Sequence, residues 1–450
     1  MFYRISVLLF TLVFLSFFYS CSSQTEANTD HIPPTLLQST PANGATSVDI
    51  STTISLEFTE QIIVSAKGKI LLNNIVVIPT VSGRIITIPA VLKHSTNYTL
   101  VIPTDALSDN AGNFTKEISI SFATTDTFKI STTPVTPNAS LQAVKLYNFL
   151  RGNFGTKVMS GTMANYSTNI TEATWVYNQT GKWPAMTTFD FIDHTNQNQN
   201  WINYAAPFTL GQNWWNNNGV VGLMWHWRDP LTKSGSFYVP SAATSPDKGT
   251  TFDIRRVTDS TSIEYKAMIA DIDLIAGYLK QFKDAGIPVI WRPLHEASGG
   301  WFWWGAHGAE PCKALWRLMF NRLVNYHGLN NMIWVWTSDT NSSAIDWYPG
   351  DDYVDIIGMD IYPTTDLHGS QIIGFNKIRE IFNNKKMITL SECGAAPDPA
   401  LMKSNGDMWS WFMPWNGNYT ESDAQNGATW WKKYFSYDFV ITRDKMPSLK

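Results

Sequence analysis

Ile287-Pro288-Val289-Ile290-Trp291-Arg292-Pro293-Leu294-His295-Glu296 begins as an apolar run and ends on a carboxylate, and Ala297-Ser298-Gly299-Gly300-Trp301-Phe302-Trp303-Trp304-Gly305 follows at once. A near-continuous apolar run of this kind reads as a strand buried on both faces. Seven more runs share its texture, at 157–163, 184–191, 219–227, 332–338, 354–362, 387–392 and 408–415. Helical stretches separate them. The clearest covers 262–285, with Ile269, Ile272, Ile275 and Leu279 on one face, and another covers 314–326. Eight such alternations between residues 138 and 450 predict an α/β fold, a (β/α)8 TIM barrel with enlarged loops.

Reactive groups of such a barrel gather at the C-terminal ends of its strands. Glu296 is expected to end the fourth strand and Glu392, in Ser391-Glu392-Cys393-Gly394, the seventh. The barrel brings these two ends face to face. Two carboxylates there suit retaining glycoside hydrolysis, which needs their carboxyl groups about 5–5.5 Å apart. The indoles beside Glu296 suit the apolar face of a sugar ring. Arg292 is expected at the barrel mouth, and Trp301 as a wall of the site. Trp303 and Trp304 read equally as wall or packing. Asp190 and Asp360 close the second and sixth strands. His295 reads as a structural hydrogen-bond partner or as a sugar contact. Asp193, His194 and the stretch 196–200 read as a solvated loop, and Trp214 and Trp215 as loop residues that could line distal subsites. No metal signature appears, since His295-Glu296 lacks the second His of a zincin motif. No cofactor is expected.

The chain has 450 residues, more than one ordinary domain. Its net charge of -4 and the lack of a basic run argue against a nucleic-acid partner. Arg4 and the apolar stretch 5–19 read as an export leader too short for a membrane span, with Cys21 directly behind it. This arrangement resembles a bacterial lipoprotein signal. The resemblance implies a signal peptide over 1–20, lipid on Cys21, a tether over 21–32, and display at a Gram-negative outer membrane or cell surface. Cys312 and Cys393 stay without a firm pairing.

Between 33 and 126 the texture changes to short alternating runs: Ile54, Leu56, Phe58; Tyr98, Leu100, Ile102; Ile118, Ile120, Phe122. Period two between Gly, Asn, Asp and Pro breaks predicts a small β-sandwich. Ser39-Thr40-Pro41-Ala42-Asn43-Gly44-Ala45, the loop 107–113, and Phe122-Ala123-Thr124-Thr125 make it similar to bacterial Ig-like domains. A Thr/Pro-rich linker is expected over 127–137.

Trp291-Arg292-Pro293-Leu294-His295-Glu296, the following Gly-Trp-Phe-Trp-Trp-Gly and the later Ser391-Glu392-Cys393-Gly394 resemble glycoside hydrolase family 26. That family is dominated by endo-β-1,4-mannanases. The resemblance spans 138–450 and implies Glu296 as acid/base and Glu392 as nucleophile. It also implies a substrate-binding His226 at the end of the third strand, Tyr362 and Arg292 as hydrogen-bond donors that keep the nucleophile charged, and Trp415 as a sugar platform. Ala297-Ser298 depart from the Met-Asn frequent in the family, which puts one polar contact near the cleavage point in doubt. The implied partner is a β-mannan-type polysaccharide, cut by a monomer. Cleavage of β-1,3-xylan or mixed-linkage glucan, release of mannobiose from chain ends, and a non-catalytic glycan-binding lipoprotein are the alternatives.

Overall fold

The structure, a computed structural model, describes residues 30–450 apart from 51, 94–95, 125–127, 166–167, 197–199 and 234. The leader 1–20, Cys21 and most of the tether lie outside the described residues. The chain divides into two compact units, one built from residues before 123 and one containing Ala123–Lys450.

The first unit is the expected sandwich. One sheet runs in the order Leu36–Thr40, Ile54–Phe58, Ile85–Ile88, Thr80–Ser82. The other runs Ile118–Ala123, Asn97–Ile102, Leu71–Leu72, Ile75–Val76. The alternating positions Ile54, Leu56, Phe58, Tyr98, Leu100, Ile102, Ile120 and Phe122 are buried, while Ile118 is only half-buried.

The second unit is a closed barrel of parallel strands: β1 (Val158–Met163), β2 (Met186–Asp190), β3 (Val220–Trp225), β4 (Val289–Pro293), β5 (Met332–Thr337), β6 (Ile356–Ile361), β7 (Met387–Cys393) and β8 (Trp411–Pro414). Closure comes from β1, which pairs with both β2 and β8. All eight expected strands are present; β7 runs one residue further than expected, to Cys393, and the other seven are shorter than expected. Every residue of β1 through β5, β7 and β8 is buried, as strands covered on both faces must be. The long helix Ile263–Asp284 starts where the Ser262 side chain accepts the Tyr265 N–H, and it turns Met268, Ile272, Ile275, Leu279 and Phe282 into the core. The helix expected at 314–326 starts earlier, as an α-helix over Ala309–Phe320, and continues as a π-helical stretch over Asn321–Tyr326.

Two expectations need correction. Residues 128–137 are not a free linker. Phe128 packs edge-on against Phe154 at 4.6 Å and under the Arg379 guanidinium, Thr136 bonds the Met332 carbonyl, and Val135 N–H donates to Asp355. Thr/Pro composition signalled a linker, but the apolar residues within it found barrel surface to cover. Trp214 and Trp215 lie on the helix Ala206–Asn216 and are buried, so they line no loop. Most of the 20 Trp are likewise core.

Candidate active site

Strand register brings the chemistry together. Asp360 and Glu392 are direct neighbours across β6 and β7, next to an irregularity that starts after Met359. Glu296 does not end β4; it stands three residues past Pro293, on a turn, with φ 53. One oxygen from each of Glu296, Asp360 and Glu392 lies within 4.8 Å of the others.

Glu392 is buried on β7 and holds a donor on each oxygen. Tyr362 O–H reaches Oε1 at 2.5 Å, and Arg292 Nη2 reaches Oε2. Arg292 Nη1 spans to Asp360 Oδ2 at 2.8 Å and Thr337 Oγ1 at 3.1 Å. The guanidinium is therefore a bridge between two carboxylates and is itself buried. Ser391 donates to the other Asp360 oxygen at 2.7 Å. Burial, then the charges of Glu392 and Glu296, push the Asp360 carboxyl up against the opposing pull of Arg292 and Ser391.

The Glu296 carboxyl receives the Trp301 indole N–H on Oε2 at 3.1 Å. Burial first, and the Glu392 charge second, raise its pKa; Arg292, the Trp301 N–H and His226 act the other way. The indole of Trp301 is 38% exposed, and it lies across Gly299, where a Cβ would overlap the ring. Its ring is open to solvent as a wall should be, and its N–H favours the charged form of Glu296, against the larger effect of burial. Gly305 closes the same loop against the Ala297 carbonyl, an approach that leaves no room for a side chain.

Two hollows flank the carboxylates. One of about 420 Å³ is lined by Glu296, Trp301, Ser338, Asn341 and Asp360 among others. The other, of about 270 Å³, is lined by Asn165, Asp190, His226, Tyr238 and Trp415 among others. A third hollow of about 560 Å³ shares Ile192, Phe237 and Tyr238 with the second and adds Arg228 and Lys248. Trp415 stands after β8, half-exposed and edge-on to His226 at 5.8 Å, whereas Trp411 is core. His226 lines the hollow with its ring, but both its nitrogens are engaged, Nδ1 by Asp190 at 2.5 Å and Nε2 by His295 Nε2 at 3.0 Å. Burial alone would raise Asp190; the charge and two hydrogen bonds of His226, with Arg292 behind, hold it below the usual carboxylate range.

Some expected substrate contacts are supports instead. Trp304 is fully buried and donates to the His295 carbonyl at 2.9 Å, so no glycan can reach it. Trp303 is also buried and donates to the Trp227 carbonyl at 2.6 Å. His295 is enclosed by His226, Phe302 and Trp304. Arg292 acts on Glu392 and Asp360 rather than facing the cleft. Asp193 pairs with Arg228, and His194 is buried, so neither belongs to a solvated loop. Cys312 and Cys393 are separate buried thiols.

Sequence reading missed Tyr238. It stacks on Phe302 at 5.1 Å, and its backbone strap runs along the loop after β4, with Val239 N–H to the Trp301 carbonyl at 2.9 Å and Trp303 N–H to the Phe237 carbonyl at 3.1 Å. Only the aromatic pair Phe237-Tyr238 within a Gly/Ser loop hinted at it.

Two carboxyls this close can flank a glycosidic bond as nucleophile and acid/base. Residues 135–445 match glycosyl hydrolase family 26, and residues 30–124 match the bacterial Ig-like domain. The chain belongs to glycosyl hydrolase family 26. A mannan endo-1,4-beta-mannosidase of Thermothelomyces thermophilus is 37% identical over 311 residues, 69% of this chain and 62% of that protein. Mannan endo-1,4-beta-mannosidase B of Piromyces sp is 35% identical over 331 residues, 72% of this chain and 55% of that protein. The chain thus spans between half and two-thirds of the length of these relatives. Among solved structures it resembles the beta-mannanase from a symbiotic protist of the termite Reticulitermes speratus, complexed with gluco-manno-oligosaccharide. That match has a TM-score of 0.68 at 40% identity and covers 72% of this chain and all of the other. The Podospora anserina beta-(1,4)-mannanase gives a TM-score of 0.66 at 29% identity, over 94% of this chain and 98% of that one.

Proposed function

We propose that the chain is a retaining endo-β-1,4-mannanase. The observation that carries this is the Glu296/Glu392 pair, oxygens within 4.8 Å, at the mouth of a family 26 barrel. Glu392, held by Arg292 and Tyr362, attacks the anomeric carbon. Glu296, whose pKa is raised by burial and by the Glu392 charge, gives its proton to the leaving oxygen. Once the leaving sugar departs, Glu296 takes a proton from water, and that water releases the glycosyl group from Glu392 with retained configuration. Mannan endo-1,4-beta-mannosidases among the relatives support mannan as substrate. Hollows on both sides of the pair, with a further one beyond Tyr238, suit a chain that passes through the site and support endo action.

The test is to incubate the purified protein with mannan, galactomannan, β-1,3-xylan and lichenan and to follow products and anomeric configuration by proton NMR. Mixed mannooligosaccharides of retained configuration from mannan are expected. Release from none of the four, or mannobiose alone from the outset, would overturn the reading. Lipid on Cys21, with display at an outer membrane, is part of the same proposal and rests on the leader pattern. Metabolic labelling with palmitate should mark the wild-type chain and not Cys21→Ser.

A further inference from the structure

Asp190 grips one residue twice. Its Oδ1 accepts the His226 backbone N–H at 2.9 Å, and its Oδ2 accepts His226 Nδ1 at 2.5 Å. An ionised carboxylate only accepts, so the proton sits on Nδ1 of His226. Across 3.0 Å, His226 Nε2 and His295 Nε2 then share a single proton, so one ring donates and the other accepts. His295 Nδ1 has no hydrogen-bond partner among the described residues, so its Nε2 contact with His226 is the one that orients the ring. Burial, with His226 and Arg292 nearby, pushes the His295 pKa well down, which suits the neutral ring this arrangement requires.

His295 is the middle of a turn whose two neighbours are both left-handed, Leu294 at φ 49 and Glu296 at φ 53. Neither is glycine, so each position is strained and persists only where its surroundings hold it. His295 is what the surroundings hold. Its ring meets His226 on one side and Phe302 and Trp304 on others, and its carbonyl takes the Trp304 indole N–H. The chain from β2 to the β4 turn runs across adjacent paired strands, where Asp190 is level with Met224 and Trp225 with Pro293.

We propose that Asp190 is a positioning residue for the acid/base: by fixing the proton arrangement of His226 and His295, it locks the strained turn that aims the Glu296 carboxyl. This deepens, and rests on, the mannanase reading above. In Asp190→Asn an amide faces two N–H donors with a single oxygen. If its NH2 turns to Nδ1, that nitrogen must accept, His226 carries its proton on Nε2, and His295 must accept there with its own proton on the unpartnered Nδ1. If its NH2 turns to the backbone, the His226 N–H is opposed. Either the protons of the two rings are rearranged or a link of the clamp is lost.

The experiment compares kcat/KM, which reports the first chemical step, on two substrates. Mannopentaose has a sugar leaving group that needs a proton. 2,4-Dinitrophenyl β-mannobioside has one that does not. General acid assistance contributes about 10²–10⁴-fold, so Asp190→Asn should lose roughly a hundredfold on mannopentaose and less than about threefold on the aryl glycoside. Histidine ¹⁵N NMR should show the protonated ring nitrogen of His226 change. An equal loss on both substrates, or no loss on either, would overturn the proposal. If Asp190→Asn fails to fold, Trp304→Phe removes the N–H on the His295 carbonyl together with part of the buried ring, and should give the same substrate split, more weakly; no split would count equally against it. A wild-type protein that cleaves the aryl glycoside but not mannopentaose would overturn the endo-mannanase reading instead, and the aryl rate would still register any damage to Glu392.

Discussion

At the scale of single residues, the site rests on how one guanidinium is shared. Arg292 faces Glu392 and Asp360 at once, while Glu296 sits within reach of both charges. Three carboxyls around one cation cannot all be comfortable as anions, and the raised Glu296 and Asp360 express that. Glu392→Ala is expected to lower turnover by roughly a thousandfold or more while mannooligosaccharide binding persists, as read by kinetics and calorimetry. The pH dependence follows from the sign of the Glu296 shift. Its folded pKa is raised, so the proton needed by the leaving group is present below that raised value and is lost as pH rises through it. The alkaline limb of kcat/KM should therefore lie above the ordinary carboxylate range, and Glu296→Gln should remove that limb. The indoles divide in the same way. Trp301→Ala should weaken substrate binding with little change in unfolding midpoint, because the ring is partly in water. Trp304→Ala should cost about 3–5 kcal/mol of stability by denaturant titration, because a fully buried ring leaves a cavity.

At the scale of elements, the β4 turn is where sequence pattern and structure part. Apolar continuity placed β4 and β7, since barrel strands covered on both faces leave that trace. It did not show that β4 stops at Pro293, or that Glu296 is delivered by two left-handed residues. A side chain's φ has no compositional signature when the residue is neither Gly nor Asn. The same limit made Trp301 and Trp304 look alike: both stand in one aromatic run, and only the loop's path, folded tightly at Gly305, turns one out and the other in. Gly305→Ala should force the loop away from the Ala297 carbonyl, cost about 1–3 kcal/mol by overpacking, and lower kcat, measured by thermal unfolding and kinetics in parallel.

At the scale of the whole molecule, the change of texture near residue 126 marks a true division, with a sandwich on one side and a barrel on the other. The boundary itself lies earlier than the Thr/Pro composition suggests, because Phe128, Val135 and Thr136 are part of the barrel unit. A chain begun at residue 127 should keep the full kcat/KM on soluble mannooligosaccharide. One begun at 138 should lose about 2 kcal/mol of stability, since it exposes apolar surface and strands the Asp355 carboxylate without its Val135 donor. Comparing the two unfolding midpoints checks this.

The sequence alone determined the (β/α)8 barrel, the sandwich before it and the pairing of Glu296 with Glu392, because strand burial and alternation leave a periodic record along the chain. Tertiary structure alone decided which neighbours of those glutamates face the cleft and which stand behind it. Asp190, His226 and His295 come from three strand ends. Their hydrogen-bond chain exists only once the barrel sets those ends side by side, and distance along the chain says nothing about contact across it.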